Sequence, residues 1–324
     1  MKKIIFTTFI FYFTSMVIGY SQVDKSDWVG HEPDGCTSIT CGKLATIDGS
    51  VITSHTDDSH RTRSSILIQP AMDHPEGAMC DITKRVPCDT VAMPLYIYKK
   101  TGEIPQVKHT YAYVNSAYPC INEKQLAIGE STFGGRESLQ SDKGLIDCTM
   151  LCQLMIERCT TARDAIRLAG ELTAKYGYND AGECLTIADK KEVWHFEILG
   201  PGKNQVGSIW VAQRVPDDHV SVNANASRIR KIDLKDKNQF MASENIFQVA
   251  IDSGWCTSPA DFEFCYAYAP ESRTSLASRR REWRVLDLVA PSLKLDPNAE
   301  NYPFSAKPDE LVTLAKLVGI FKDY

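Results

Sequence analysis

The strongest constraint on how this chain folds is the run from Cys36 to Ser59, which has the pattern of a strand, a turn and a second strand. Both halves are rich in β-branched side chains, and Asp48-Gly49 between them is a common hairpin turn. The pattern places Cys36 at the start of the first strand and brings Asp57-Asp58 back beside it. We therefore predict a thiol and carboxylates at one end of a hairpin.

The residues before Cys36 have the pattern of a segment that is removed. Lys2 and Lys3 precede an apolar run, which is followed by small residues, as in a secretory signal. The apolar run is too short for a comfortable membrane span. We predict a signal peptide over 1–21, a propeptide over 22–35 and one domain over 36–324. The protein is then exported, periplasmic or secreted, and has no stable membrane anchor.

A cut between Gly35 and Cys36 would give one residue both a thiol and a free α-amine. An α-amine titrates at about 7.7 to 8.0, so it can accept the thiol proton near neutral pH. A neighbouring ammonium also lowers the pKa of a thiol. The sequence therefore predicts that Cys36 contains both a nucleophile and a general base, the two groups that start acyl transfer.

Composition excludes several functions. The formal net charge is −5 and no basic patch is present, which disfavours nucleic-acid binding. No phosphate-binding loop, dinucleotide fingerprint or zinc-type spacing occurs, so we expect no cofactor and no metal. Eleven cysteines are many for an exported chain, and their pairing stays open. Homo-oligomerisation also stays open.

The periodicity along the chain predicts antiparallel strands around a helical hairpin. Helices are expected within 146–172, with the second beginning at Thr160-Thr161. Further strands are expected at 66–68, 111–115, 126–130, 183–198, 210–215 and 219–225, the last two continuing one meander, and a final helix at 310–321. These elements predict an α+β fold with antiparallel sheets.

Several short motifs occur together in a distinctive order. Cys36-Thr37-Ser38, Gly42-Lys43-Leu44-Ala45-Thr46, Asp48-Gly49-Ser50 and Thr56-Asp57-Asp58-Ser59 follow within two dozen residues, and Asn122 to Thr132 adds a longer match. In these segments the chain resembles the N-terminal-nucleophile cysteine dipeptidases related to the secernins. The resemblance implies a four-layer αββα sandwich. Since the family pattern continues beyond Tyr324, we expect the sandwich to be incomplete at the C-terminus.

The resemblance also implies catalytic roles. Cys36 would be the nucleophile, and the carboxylate of Asp58 would accept a hydrogen bond from the α-amine or from the thiol of Cys36. Asn225 would supply a side-chain donor to the oxyanion hole, where such donors stabilise the tetrahedral intermediate by about 3 kcal/mol each. Asp57 and Asn223 are the weaker alternatives for the second and third roles.

A dipeptide or short peptide substrate carries a free amine and a free carboxylate, so its site needs an acid and a base near the nucleophile. The candidates for substrate binding are His55, Glu130 and Arg228, with Arg61 as a further basic residue. His55 stands where relatives often have arginine. Glu130 is also an alternative contributor to the oxyanion hole.

The leading functional hypothesis is an exported cysteine dipeptidase that forms a thioester on Cys36. One alternative keeps the chemistry and changes the substrate to a non-peptide amide, as in hydrolases of the choloylglycine type. A second alternative is an inactive remnant or binding domain. The removal of residues 1–35 separates both hydrolase hypotheses from the inactive remnant, because without it the α-amine does not exist.

Overall fold

The computed structural model describes residues 35–58, 64–88 and 95–323, apart from the side chains of 87, 88, 95 and 96. The predicted signal peptide, nearly all of the predicted propeptide and Arg61 lie outside the described residues and stay predictions. Within the described residues, no helix combines the length and the apolar character that a membrane crossing requires.

The described residues form sixteen strands and six α-helices. The strands are β1 Ser38–Cys41, β2 Ile52–Thr53, β3 Leu67–Gln69, β4 Met72–Asp73, β5 Met79–Cys88, β6 Leu95–Pro105, β7 His109–Thr110, β8 Tyr113–Asn115, β9 Pro119–Asn122, β10 Ala127–Gly134, β11 Gly182–Ala188, β12 Val193–Leu199, β13 Ile209–Arg214, β14 Val220–Asn223, β15 Phe240–Ala242 and β16 Ser305–Ala306. The helices are α1 Cys148–Arg158, α2 Ala162–Tyr176, α3 Gln248–Asp252, α4 Phe264–Tyr268, α5 Leu276–Val289 and α6 Leu314–Phe321.

Two antiparallel sheets organise the molecule. The smaller has four strands in the order β16-β14-β1-β2, and the larger has eight in the order β15-β13-β12-β11-β10-β9-β8-β3. Two separate ribbons, β4-β7 and β5-β6, complete the strand pairing. The predicted α+β class with antiparallel sheets is confirmed, and so is the hairpin of β1 and β2 around the Asp48-Gly49 turn.

Alternation along the strands places successive side chains on opposite faces of each sheet. The predicted helical hairpin, α1 and α2, covers the apolar face of the larger sheet, where Leu185 and Phe196 are fully buried. Helix α5 covers the smaller sheet, packing Leu286 against Ile39 and Val222. The helices therefore bury the apolar faces, and the polar faces are left to meet each other.

The contact between the two sheets is made by hydroxyl and imidazole groups. Thr40 Oγ1 lies 2.9 Å from His195 Nε2, and Thr53 Oγ1 lies 2.7 Å from Thr186 Oγ1. Burial lowers the pKa of His195 to about 3, so its ring is neutral at ordinary pH. These buried polar groups form hydrogen bonds with one another, and this holds the two sheets in one relative position. The residues at the shared edge of the sheets are positioned as a result.

Gly129 is a point of close approach between the sheets, which gives a direct test of this packing. A Cβ at this position would lie 2.6 Å from Thr186 Oγ1 and 3.0 Å from the backbone oxygen of Ser54. We expect Gly129→Ala to lower the free energy of unfolding by about 1 to 3 kcal/mol, the range for overpacking. Chemical denaturation would measure this change. Gly319→Ala is the control, because no described atom lies within 4 Å of the added Cβ.

Strand β14 corrects the predicted topology. The segment 219–225 was expected to continue the meander of the larger sheet, but β14 leaves it and pairs with β1, with Asn223 opposite Ser38. Alternation gives a strand its buried face and does not say which sheet it joins; here all four residues of β14 are buried between two neighbours. This crossing places the residues after β14 beside the start of β1.

The C-terminal part also differs from the sequence pattern. Helix α5 was not predicted, and the final helix begins at Leu314 instead of Glu310. Thr313 caps α6 by accepting a hydrogen bond from the backbone of Lys316, and Val312 before it pairs with Thr46 as an extended residue. A cap four residues inside the apolar segment therefore sets the helix start.

The cysteines whose side chains are described, ten in number, are all free thiols. Cys148 and Cys152 are buried on α1, and Cys159 is buried just after it. Cys88 lies outside the described side chains.

Candidate active site

Cys36 lies two residues before the start of β1, and it is buried, at 8% exposure. Its backbone nitrogen donates a hydrogen bond of 2.7 Å to Asn225 Oδ1. Asn225 follows β14 in the left-handed region, with φ of 57°, a conformation that asparagine tolerates better than most residues. The pairing of β14 with β1 thus delivers the Asn225 amide to the nitrogen of Cys36, joining two of the predicted catalytic residues.

Both ends of the Asn225 amide are in use. Oδ1 accepts from Cys36 and also from Arg281 Nη2 at 3.0 Å, while Nδ2 donates to the backbone oxygen of Thr132 at 2.7 Å. These partners fix the orientation of the amide, with oxygen toward Cys36. In this state the side chain holds the Cys36 nitrogen, and its role as an oxyanion-hole donor stays a prediction.

Arg281 on α5 is a site residue to which the sequence analysis gave no role. Its Nη1 donates to the backbone oxygen of Cys36 at 2.8 Å and to Thr37 Oγ1 at 3.1 Å. Its Nη2 donates to the backbone oxygen of Ala224 at 3.1 Å. One guanidinium therefore ties β1 to the segment after β14. The available signal was an arginine flanked by Ser278 and Glu282, which are both buried on the same helix.

Glu130 on β10 supplies the carboxylate nearest to the thiol. Its side chain is buried, and Cys36 Sγ donates to Oε2 at 3.7 Å. Thr132 Oγ1 lies 3.0 Å from Glu130 Oε1 and 2.9 Å from Glu183 Oε1. Glu183 on β11 was not singled out from the sequence, because a single glutamate in an alternating strand gives no signal. The thiol is thus in contact with one member of a pair of buried carboxyl groups.

These groups change one another's protonation. Burial raises the pKa of Glu183, and the Glu130 charge raises it further. Burial also raises the pKa of the Cys36 thiol, and the Glu130 and Asp57 charges add to the effect. The chain is continuous across Gly35 and Cys36, so the nitrogen here is an amide and provides no ammonium to offset these charges. Cys36 is therefore a protonated thiol in the uncut chain.

Asp58 contacts the residue before Cys36 through its backbone. Its N–H donates to the Gly35 oxygen at 2.7 Å, and its oxygen accepts from the Gly35 N–H at 3.0 Å. Its carboxylate accepts a hydrogen bond of 3.1 Å from Thr56 Oγ1, which in turn accepts from the Thr37 N–H at 3.1 Å. The Asp58 carboxylate is thus connected to the nucleophile's neighbour through one hydroxyl group.

The remaining predicted site residues lie in different places. His55 lies close enough to Glu130 to feel its charge, and its ring is next to that of Tyr118, with 6.2 Å between ring centroids. Burial lowers the pKa of His55, against the opposing effect of Glu130. Arg228 is buried elsewhere, with Nε 3.2 Å from Glu282 and its other donors on the backbone oxygens of Val222, Pro303 and Phe304. No contact joins Arg228 to Cys36 within the described residues.

The described side chains include no group of three or more His, Cys, Asp or Glu residues placed to hold a metal ion. The chemistry that this site can perform with its own groups is that of a thiol beside a fixed nitrogen, a guanidinium and two carboxyl groups.

Fold and site together define an α+β protein with a buried cysteine at the shared edge of two antiparallel sheets. The chain belongs to peptidase family C69, whose model matches residues 35–324. That match begins one residue before Cys36.

Curated relatives agree with this assignment at low identity. The chain is similar to a probable dipeptidase of Latilactobacillus sakei, 26% identical over 315 residues, which are 90% of this chain and 61% of that protein. A probable dipeptidase of Salmonella dublin is 24% identical over 304 residues, 89% of this chain and 66% of its own length. A probable dipeptidase B of Streptococcus pyogenes serotype M1 is 25% identical over 300 residues, which are 86% of this chain and 55% of that protein. The chain thus spans between half and two-thirds of the length of these relatives.

Proposed function

We propose that this protein is a cysteine dipeptidase that hydrolyses the amide bond of dipeptides through Cys36, once the residues before Cys36 have been removed. The observation that carries the proposal is the 2.7 Å hydrogen bond that holds the Cys36 nitrogen on Asn225 Oδ1. A nitrogen fixed in this way becomes a fixed α-amine after cleavage, in the same residue as the thiol. Membership of peptidase family C69 and the names of the relatives support the peptide substrate.

The proposed reaction uses groups that the site already holds. The α-amine of Cys36 takes the Sγ proton, and Sγ attacks the scissile carbonyl carbon. The resulting ammonium returns the proton to the leaving amine as the carbon–nitrogen bond breaks, and water hydrolyses the thioester. Arg281 and Asn225 keep the nucleophile in place, which is the positioning that lowers the barrier of such steps.

We also propose the four-layer αββα arrangement of N-terminal-nucleophile hydrolases as the architecture. It is supported by helices α1 and α2 on the larger sheet, α5 on the smaller sheet, and the direct polar contact between the sheets. The whole enzyme's activity and substrates are part of the proposal, because the chain spans only part of its relatives. Export through residues 1–21 belongs to it too, and cell fractionation would test it.

Autocatalytic removal of the propeptide, residues 22–35, is the maturation step that we propose. In this step the thiol proton passes to the Cys36 nitrogen as Sγ attacks the carbonyl carbon of Gly35, and the carbon–nitrogen bond breaks to leave a thioester and a free α-amine. Water then hydrolyses the thioester, which regenerates the thiol and releases the leader with a new carboxyl group. The hydrogen bond of 2.7 Å from the Asp58 N–H to the Gly35 oxygen supports it, because it polarises the carbonyl to be attacked.

The expected result is a mature protein that begins at Cys36. Intact mass and N-terminal sequencing of the purified protein would measure this, and hydrolysis of a panel of dipeptides would follow on the same sample. Cys36→Ala should keep its leader if the thiol performs the cut. A wild-type protein that retains residues before Cys36 and hydrolyses no dipeptide would contradict the proposal.

If maturation occurs and dipeptides are left intact while a non-peptide amide is hydrolysed, the amidase alternative takes the place of the dipeptidase. The two outcomes differ only in substrate, because both need the free α-amine of Cys36.

A further inference from the structure

The two buried carboxyl groups beside the nucleophile are more than the proposed acyl transfer requires. Glu130 and Thr132 are two residues apart on β10, so they share a face, and Thr132 lies opposite Glu183 on β11. All three therefore lie on the face of the larger sheet that α1 covers. Glu130 and Glu183 are 1% and 3% exposed. Burying two acids here is costly, which calls for a function.

The pair has unused hydrogen-bonding capacity. Thr132 Oγ1 contacts one oxygen of each carboxyl group, and the Cys36 thiol contacts Glu130 Oε2. Glu183 Oε2 is buried and has no hydrogen-bond partner among the residues that the structure describes. Neither acid forms an ion pair with a lysine, arginine or histidine of the described residues. The arrangement has a place for a donor, and for a positive charge in particular.

The position of the pair relative to the sulfur limits what that donor can be. A nucleophile attacks from about 3 to 3.5 Å, and the amine of an α-amino acyl group is separated from the carbonyl carbon by a single carbon. A carboxylate 3.7 Å from Sγ is therefore within hydrogen-bond reach of that amine. Its negative charge repels the carboxylate end of a dipeptide, which must therefore bind elsewhere.

We propose that Glu130, Glu183 and the Thr132 hydroxyl between them form the subsite for the free α-ammonium of the substrate, restricting the enzyme to acyl groups with an unblocked amine. This deepens the proposed function and rests on it. Raised protonation at Glu183 leaves the pair close to a single negative charge, which matches one ammonium group.

Binding of the ammonium also affects the nucleophile. The charge of Glu130 opposes the loss of the Cys36 proton, and a bound ammonium would neutralise that charge. The correct substrate thus assists formation of its own attacking thiolate. An N-acylated or des-amino substrate brings no charge and gains neither the contact nor the assistance.

The test compares substrates that differ only in the amine. Mature protein is assayed with alanyl-alanine, with its des-amino analogue propionyl-alanine, and with N-acetyl-alanyl-alanine. We expect the free-amine substrate to be preferred in kcat/KM, and Glu130→Gln to reduce that preference about 10- to 100-fold, the range for one charge-assisted hydrogen bond. Glu183→Gln should reduce it by a smaller factor, since burial and the Glu130 charge raise the pKa of Glu183.

Glu157→Gln is the matched control, because Glu157 is also buried with a raised pKa and lies on α1, where its contacts are with other residues. It should leave the preference unchanged. If Glu130→Gln slows the amino and des-amino substrates equally, Glu130 only positions Cys36, and the subsite is overturned.

A second measurement needs no catalysis and so separates this proposal from the proposed function. Cys36 is modified with the cationic reagent 2-aminoethyl methanethiosulfonate and with its neutral methyl analogue, and the labelled peptide is quantified by mass spectrometry. The rate of Cys36 modification by each reagent is divided by that reagent's intrinsic rate with a free thiol. We expect this corrected rate to be about 10-fold or more higher for the cationic reagent in the mature wild-type protein, and Glu130→Gln to abolish the difference. Equal ratios in both proteins would overturn the subsite even if dipeptides are hydrolysed.

Discussion

Replacing Cys36 by alanine is expected to abolish dipeptide hydrolysis, by about ten-thousand-fold or more in kcat, the scale seen when a catalytic nucleophile is removed. The protein should still fold, because the thiol contributes one weak contact to Glu130, and alanine fits the same space. Steady-state kinetics with the preferred dipeptide would measure the loss, and thermal unfolding would confirm the fold.

Cys41→Ala is the matched control for this experiment. Cys41 is a buried free thiol at the other end of β1, and burial raises its pKa to about 12. Its removal should lower stability slightly and leave kcat within a few-fold of wild type. Loss of activity in Cys41→Ala, or retained activity in Cys36→Ala, would contradict the assignment of Cys36 as the nucleophile.

Arg281→Ala is expected to have the next largest effect. It removes the donors to the backbone oxygen of Cys36, to Thr37 Oγ1, to the backbone oxygen of Ala224 and to Asn225 Oδ1. Without Arg281, the Asn225 side chain that holds the Cys36 nitrogen is no longer fixed in orientation. We therefore expect kcat/KM to fall about 100- to 1,000-fold, as for the loss of a preorganised donor. Unpaired acceptors should also lower the free energy of unfolding by about 1 to 3 kcal/mol.

The control and the conservative variant separate these two effects. Arg284→Ala removes an exposed arginine of the same helix that is paired with Asp323 and Asp287, so it should cost less than about 1 kcal/mol and leave kinetics unchanged. Arg281→Lys keeps the charge and loses the fork geometry. We expect it to recover stability more than kcat/KM. Full activity in Arg281→Lys would show that charge alone is needed.

The parts of the site that could be predicted are those written in contiguous sequence. The β1–β2 hairpin follows from alternation and the Asp-Gly turn, and it places Cys36 and Asp58 close together before any long-range contact is known. The helical hairpin follows from apolar spacing and the Thr161 cap. These are local signals, and local signals survive in a single sequence.

The contacts that could not be predicted depend on how distant elements pair. Nothing in residues 219–225 shows that β14 joins β1 instead of the larger sheet, yet that pairing alone brings Asn225 to the Cys36 nitrogen. Arg281 depends on α5 lying over β14, and Glu183 on the register of β11 with β10. Arg228 shows the converse. Its positive charge made it a candidate for substrate binding, but the structure buries it against Glu282 and backbone oxygens.

The short pairing of Gly35 with Asp58 has a consequence for the mature protein. While the leader is present, one extended residue occupies both the N–H and the C=O of Asp58. Removal of the leader leaves that donor and acceptor exposed at an edge, where backbone groups need a new partner. The cut therefore leaves one backbone donor and one backbone acceptor free at the position that Gly35 occupied, next to Cys36. In this sense Gly35 is the first peptide residue that the site holds.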